Sequence, residues 1–227
     1  MRNRLDQLFT PLLAGANWRD RIIATAGALI GIGMTALVCG LLSGKPEMIL
    51  LVAPMGASAV LLYAVPSSPL AQPWPVVGGN TVSALIGIAS ALLLGHGALA
   101  AAIAVSVAIL AMSVLRCLHP PGGACALLAV LGGPAVLSHG FGYALAPVAL
   151  NALAMVAFAY AFHRVSGHSY PHRATRSPLP TAVAGFTLDD IDAALDEQGE
   201  TFDVSREDLE ALLASAERHA EARRKRR

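Results

Sequence analysis

Long apolar runs alternate with short polar turns through most of the chain. Between residues 22 and 162 the formal charges are Lys45, Glu47 and Arg116. A soluble fold needs polar outer faces, which this stretch lacks. A membrane-spanning helix needs about 20 apolar residues. The pattern therefore predicts an all-α membrane protein, whose apolar segments are 22–42, 48–65, 76–94, 98–115, 119 to about 137, and 143–162.

Proline and glycine interrupt two of these segments. Residues 54–61 (PMGASAVL) align with residues 121–128 (PGGACALL) at an offset of 67, and the same offset relates the starts of the segments at 76 and 143. The apolar region is therefore predicted to contain two copies of helix, broken helix, helix. Four crossings result if both broken helices are re-entrant, and six if both span. With three crossings per copy, the second copy is inverted, as in many transporters.

Charged residues concentrate at the two ends of the chain, although only 14% of all residues are charged. This division predicts a basic arm (1–21), a transmembrane domain (22–163), a linker (164–185) and a charged helical tail (186–227). Arginines flank the apolar region on both sides, which predicts a multi-pass protein of the plasma (inner) membrane with both termini in the cytoplasm. Two short soluble helices are expected in the tail, because Thr187 with Asp190 and Ser205 with Asp208 fit capping boxes.

The broken helices carry the candidate site. Proline suits the first position of a helix, and a helix N-terminus presents unpaired N–H groups and a partial positive charge. Two such ends aimed at one cavity form an anion site without buried full charges. The candidate substrate-binding residues are Pro54, Gly56, Ala57, Ser58, Asn80, Arg116, His119, Pro121, Gly122, Gly123 and Asn151.

Each candidate also has a structural alternative. Arg116 either attracts anions to the mouth of a path or reaches the lipid headgroups. His119, which lies close to Arg116 if the helix continues, either donates to an anion or caps a helix. Asn80 and Asn151 either bind substrate or bridge helices, and the glycines either line a cavity or allow close helix packing.

Several other classes of function lack support in the sequence. The apolar region contains no Ser–His–Asp set, no paired carboxylates and no zinc-binding spacing. The sequence therefore predicts no enzyme, no catalytic residue, no metal site and no cofactor. The expected partners are the lipid bilayer, a small anion and a second copy of the chain, because one protomer is small for a transporter. No nucleic acid is expected.

The motif at residues 119–124 (HPPGGA), followed by 126–132, resembles the signature of the HPP family of integral membrane proteins. Residues 56–62 and 66–73 are similar to a second motif of that family. The resemblance covers roughly residues 19–164 and implies four membrane spans. It also suggests nitrite as a substrate, because some plant-chloroplast and cyanobacterial members are associated with nitrite transport.

The leading hypothesis is therefore a membrane transporter or channel for a small inorganic anion. The residues themselves indicate only a small anion, and nitrite comes from the family resemblance. The alternative is a membrane-anchored scaffold or sensor subunit that acts through its cytoplasmic tail.

Overall fold

The structure is a computed structural model that describes residues 18–42, 51–173, 186–198 and 202–225. These residues form helices and connecting turns, and no strand occurs among them. Most of the basic arm, the turn holding Lys45 and Glu47, and most of the linker lie outside the described residues.

The apolar region begins with one long helix and continues through shorter ones. The connections include a 3-10 turn (Pro69–Ala71), and two π-helical turns (Pro75–Gly79 and Ala144–Ala149) lead directly into the helices that begin at Asn80 and Leu150. The tail contains two further helices. The helices in chain order are α1 (Trp18–Leu42), α2 (Pro54–Ala64), α3 (Asn80–Leu94), α4 (Ala98–Val114), α5 (Pro120–Leu131), α6 (Gly133–Leu137), α7 (Leu150–Ser166), α8 (Leu188–Gln198) and α9 (Arg206–Lys225).

Both broken helices begin at a proline, as the sequence predicts. Pro54 is the first residue of α2, and α5 starts at Pro120, one residue before the predicted Pro121. Residues 51–53 of the apolar segment 48–65 are not helical, which agrees with a helix start at Pro54. The fifth segment also divides at Gly132 into α5 and α6.

Among the described residues, three helical segments are long and apolar enough to cross a membrane: Trp18–Leu42, Pro75–Leu94 and Ala144–Ser166. The prediction of an all-α membrane protein is therefore confirmed. The broken helices are much shorter. The 11 residues of α2 extend for about 16 Å, about half the hydrocarbon thickness of a bilayer.

The two halves of the apolar region exchange helix contacts. In the first half α1 packs on α2, and both pack on α7 of the second half. In the second half α4 packs on α5, and both pack on α3 of the first half. The broken helices α2 and α5 also contact each other. The halves are therefore interlocked, and the core lies where they meet.

Contacts along α7 give the direction of α2. The N–H of Val52, just before α2, donates to Asn151 Oδ1 at 2.9 Å near the start of α7. At the other end of α2 the carbonyl of Leu62 lies 2.9 Å from His163 Nε2, near the end of α7. These two helices therefore run in the same direction.

The second pair of helices formed across the two halves, α3 and α5, is arranged in the same way. Gly79, next to the start of α3, lies against His119 at the start of α5, and Gly87 lies against Ala129 further along. Helices α3 and α5 therefore also run in the same direction.

The broken helices themselves run in opposite directions. Pro54 and Ala57 line a groove of ≈ 410 Å³ with Leu127 and Leu131, so the start of α2 lies beside the end of α5. Near the start of α1, Gly27 lies against Tyr63 and Phe162 near the ends of α2 and α7, so α1 runs opposite to both. With the turns that follow α3 and α4, the six helices α1, α2, α3, α4, α5 and α7 alternate in direction along the chain.

The two tail helices pack on each other, and both predicted caps are confirmed. The N–H and hydroxyl of Thr187 donate to the Asp190 carboxylate, and the N–H of Asp208 donates to Ser205 Oγ at 3.1 Å. Partial burial raises the pKa of the Asp208 carboxyl, but hydrogen bonds from Ser205 and His172 outweigh it, so that its pKa is below the ordinary value.

The close packing of α3 on α5 depends on glycine. A Cβ added at Gly87 meets the Ala126 carbonyl oxygen at 2.5 Å, and backbone atoms cannot yield as a flexible side chain does. We expect Gly87→Ala to lower the free energy of unfolding by about 1–3 kcal/mol. Thermal unfolding of the purified protein in detergent measures the effect.

The matched control is Gly33→Ala in α1, where an added Cβ meets nothing within 4 Å. Alanine is the better helix former, so this variant should be as stable as the parent or more stable by about 0.5–1 kcal/mol. Equal unfolding temperatures for the two variants would contradict the packing described for α3 and α5.

Candidate functional site

A buried hydrogen bond joins the two broken helices. His119 Nε2 lies 2.9 Å from Ser58 Oγ, and His119 Nδ1 lies 2.8 Å from the Leu70 carbonyl oxygen. A carbonyl oxygen only accepts, so Nδ1 carries the proton and donates to Leu70. In the neutral ring Nε2 then accepts from the Ser58 hydroxyl.

Asn80 extends this bond into a chain. Its Nδ2 donates to Ser58 Oγ at 3.3 Å and to the Val76 carbonyl at 2.8 Å, while its Oδ1 accepts from Cys125 Sγ at 3.1 Å. The donors thus point in one direction, from Cys125 through Asn80 and Ser58 to His119. Ser58, Asn80 and His119 have no exposed surface. We call Ser58, Asn80, His119 and Cys125 the Asn80 cluster.

Local sequence explains how these side chains meet. His119 precedes a proline and has the extended backbone (φ −141°, ψ 107°) that such a residue favours. Asn80 is the first residue of α3 after the π-helical turn. A Cβ at Gly79 lies 2.6 Å from a backbone carbonyl, and one at Gly122 lies 2.8 Å from a side-chain oxygen. These glycines therefore serve close packing around the cluster.

Asn151 forms a second cluster at the equivalent place in the other half. It follows the second π-helical turn, as Asn80 follows the first. Its Oδ1 accepts from the Val52 N–H at 2.9 Å, and its Nδ2 lies 3.2 Å from Cys39 Sγ. Each asparagine therefore bridges helices of both halves. Asn151 bonds Val52 just before α2, and Asn80 bonds Ser58 in the second turn of α2, so both clusters contact the first part of that helix.

The early part of α2 and the start of α5 meet through side chains, in the bond between Ser58 and His119. The two helix axes are antiparallel, so the N–H groups at the starts of α2 and α5 point in opposite directions. Two prolines at the start of α5 also remove two N–H groups, and the Gly122 N–H donates to the His119 carbonyl at 2.8 Å. The site is therefore built from side chains rather than from a pair of helix ends.

Arg116 does not join the Asn80 cluster. The Cys117 N–H donates to the Met112 carbonyl at 2.8 Å and the Arg116 N–H to the Ser113 carbonyl at 3.2 Å, which is the pattern of a Schellman motif. Arg116 takes the left-handed conformation (φ 54°) and its side chain is exposed. The helix does not continue to His119, so the expected proximity of the two residues is not produced.

The remaining candidates divide between the interior and the surface. Pro121 is buried, Gly123 is half-buried, and Gly56 and Ala57 are exposed. Ala57 lines the groove between α2 and α5 together with Pro54. A Cβ at Gly56 meets nothing within 4 Å, so packing does not require glycine there.

Five participants in the two clusters are absent from the candidates that the sequence supplied. Leu70, Val76 and Val52 act through backbone groups, which every residue possesses and which no side-chain pattern reveals. Cys39 and Cys125 lie in apolar segments, where a cysteine usually acts as a small buried hydrophobe. The place of Cys125 in the repeat, aligned with Ser58, was the signal that could have identified it as part of the polar cluster.

The described residues thus form an all-helical membrane protein. It consists of two interlocked halves, and each half contributes the asparagine of one buried polar cluster. Residues 14–171 match the model of the HPP transmembrane region. The chain therefore belongs to the HPP family.

Two proteins of Dictyostelium discoideum, each named only as a transmembrane protein, are similar to this chain. One is 39% identical over 57% of this chain and 42% of its own length, and the other is 36% identical over 55% of this chain and 45% of its own length. The chain thus spans less than half the length of these relatives. No solved structure matches it.

The Asn80 cluster makes a direct prediction about stability. Ser58→Ala leaves His119 Nε2 without its donor in a fully buried position, which should cost about 1–3 kcal/mol in free energy of unfolding. Unfolding of the purified protein in detergent measures the loss.

Ser106→Ala is the matched control. Ser106 is exposed on α4, and its hydroxyl donates to the Ala102 carbonyl of the same helix, so its loss should change stability by less than about 0.5 kcal/mol. If Ser58→Ala is as mild as Ser106→Ala, the bond between Ser58 and His119 does not contribute as described.

Proposed function

We propose that the protein is a membrane transporter or channel for a small inorganic anion. The observation that carries the proposal is the pair of asparagine-centred clusters, which follow the π-helical turns of the two halves and both contact the first part of α2 inside one apolar bundle. Neighbouring polar clusters inside an apolar bundle offer a permeating anion hydrogen bonds in place of those that water supplies outside the bilayer.

The alternating helix directions support an inverted repeat. The first half (α1, α2, α3) and the second half (α4, α5, α7) carry the same order of elements in opposite orientation. With six traversing segments, two of them short, both ends of the apolar region lie on one side of the membrane. Transporters with inverted repeats and broken helices bind substrate where the repeats meet, which here is between α2 and α5.

Each cluster offers neutral hydrogen-bond donors to an anion. In one cluster these are the Ser58 hydroxyl and the Asn80 amide, and in the other the Val52 N–H and the Asn151 amide. A bound anion replaces the present acceptors, which are His119 Nε2 and the Asn151 amide oxygen. Neutral donors hold a passing anion without the desolvation cost of a buried countercharge.

Arg116 supplies the positive charge outside the bilayer interior. It follows the end of α4 and precedes the start of α5, so it lies at the same end of the bundle as the Asn80 cluster. An exposed guanidinium there raises the local concentration of anions through long-range attraction. In this role Arg116 does not contact the bound anion.

Anion flux into proteoliposomes tests the function, with nitrite, nitrate, formate and chloride compared. Nitrite comes first because family resemblance suggests it. We expect flux above that of empty vesicles, and about a tenfold loss in Ser58→Ala, because a hydrogen bond to a charged group contributes about 1.5–3 kcal/mol. Ser106→Ala should retain the parent rate.

The liposome experiment has a clear negative outcome. Absence of flux for every anion, from protein shown to be folded and inserted, removes the transport proposal and favours the scaffold or sensor role. Flux that survives unchanged in Ser58→Ala removes the Asn80 cluster from the path.

The role of Arg116 gives a separate prediction. Arg116→Gly should keep the fold, because glycine adopts a φ of 54° without strain. Its flux should fall at about 0.01 M salt and approach the parent value at about 0.1 M or above, where the Debye length shortens from about 30 Å to about 10 Å. Arg116→Lys, which keeps the charge, should match the parent at both salt concentrations. Equal rates for Arg116→Gly and the parent at low salt would exclude electrostatic attraction.

A further inference from the structure

The loop between α2 and α3 contacts both the buried cluster and the tail. We call residues 66–75 the α2–α3 loop. The Leu70 carbonyl accepts from His119 Nδ1 at 2.8 Å inside the bundle. Two residues earlier, the Ser68 hydroxyl donates to the Asp203 carboxylate of the tail at 2.8 Å. One short turn therefore lies between the tail and the buried histidine.

Further contacts attach the chain beyond α7 to the same loop. The Tyr170 hydroxyl donates to the Ala71 carbonyl at 3.0 Å, and the His172 N–H donates to Gln72 Oε1 at 2.8 Å. The His172 ring in turn contacts the Asp208 carboxylate of α9 at 2.9 Å. The segment after α7 and the start of α9 thus hold the α2–α3 loop from one side.

The loop is rigid enough to transmit a displacement. Ser68 Oγ accepts from the Leu70 N–H at 3.1 Å and thereby caps the 3-10 turn. Gln72 Nε2 donates to the Ser68 carbonyl at 2.8 Å and to the Pro66 carbonyl at 3.0 Å. A shift of Ser68 therefore moves the Leu70 carbonyl, because the two residues belong to one hydrogen-bonded turn.

We infer that the tail is a regulatory latch on the buried cluster. When Asp203 is docked on Ser68, the Leu70 carbonyl stays on His119 Nδ1, and His119 Nε2 stays available as the acceptor for Ser58. When the tail leaves, the loop relaxes, the Leu70 carbonyl no longer selects this tautomer, and the Ser58 hydroxyl is released. Docking therefore keeps the Asn80 cluster closed, and undocking opens it.

The effect on transport rests on the proposed function, whereas the coupling between tail and His119 does not. For that reason the primary measurement is structural. The full-length protein in lipid bilayers, labelled with ¹⁵N-histidine, reports the protonation of each ring nitrogen. The His119 signals are identified by their loss in His119→Gln. Hydrogen exchange of the backbone amides in residues 66–75 reports the opening of the loop.

Asp203→Ala is the test variant, because it removes the tail's partner without altering the membrane region. Loss of one charged hydrogen bond should raise hydrogen exchange in the α2–α3 loop by about fivefold or more. It should also change the Nδ1 and Nε2 signals of His119 from one tautomer towards a mixture. Asp196→Ala, which removes an exposed acid of α8, is the control with the same change of charge and should leave both readouts at parent values.

Two outcomes overturn the latch. If hydrogen exchange in the loop is unchanged in Asp203→Ala, the contact between Asp203 and Ser68 does not hold the loop, and the latch is wrong. If the exchange rises but the His119 signals stay as in the parent, the loop moves without reaching the histidine. Both results are independent of flux. If transport is also established, Asp203→Ala should raise the rate above that of Asp196→Ala, whereas an equal or lower rate would contradict closure by the docked tail.

Discussion

Polar groups inside a bilayer must find their hydrogen-bond partners within the protein, and the region around Asn80 is organised by this constraint. The Asn80 side-chain amide needs both a donor and an acceptor from the protein, because no water supplies them inside the bilayer. Ser58 comes from the first half of the apolar region and Cys125 from the second. The constraint is therefore satisfied only when the two halves interlock, which connects the buried polar chemistry directly to the tertiary fold.

The same cluster joins the interior to the membrane surface. His119 contacts Ser58 on one side and the Leu70 carbonyl on the other, and the loop that carries Leu70 also binds the tail. In the proposed function, the side chains that stabilise the packed halves are thus also the ones that exchange partners with a passing anion. Such an arrangement makes stability and function compete for the same hydrogen bonds, and it explains why the tail is well placed to influence the site.

Sequence reasoning succeeded where a local rule applied. Proline fixes its own φ and lacks an N–H, so the helix start at Pro54 could be read directly. The capping pairs in the tail involve residues three positions apart and were equally accessible. The Pro-Val pairs at 75–76 and 147–148, shortly before Asn80 and Asn151, indicated that these two asparagines are equivalent. Sequence reasoning did not reveal the conformation of Arg116, because a left-handed residue after a helix depends on the whole turn, nor the Leu70 carbonyl, because a backbone group has no distinctive sequence.

By itself, the sequence determined that the chain lies in a membrane, where its broken helices begin and which polar residues enter the apolar region. These properties follow from hydrophobicity and from the chemistry of single residues. Only the tertiary structure decided that α2 and α5 are antiparallel, so that the N-termini of these two helices point in opposite directions. It also decided that Ser58 of the first half meets His119 of the second half. Those outcomes depend on how closely distant helices approach, as at Gly87 against the backbone of α5, and no local pattern encodes that distance.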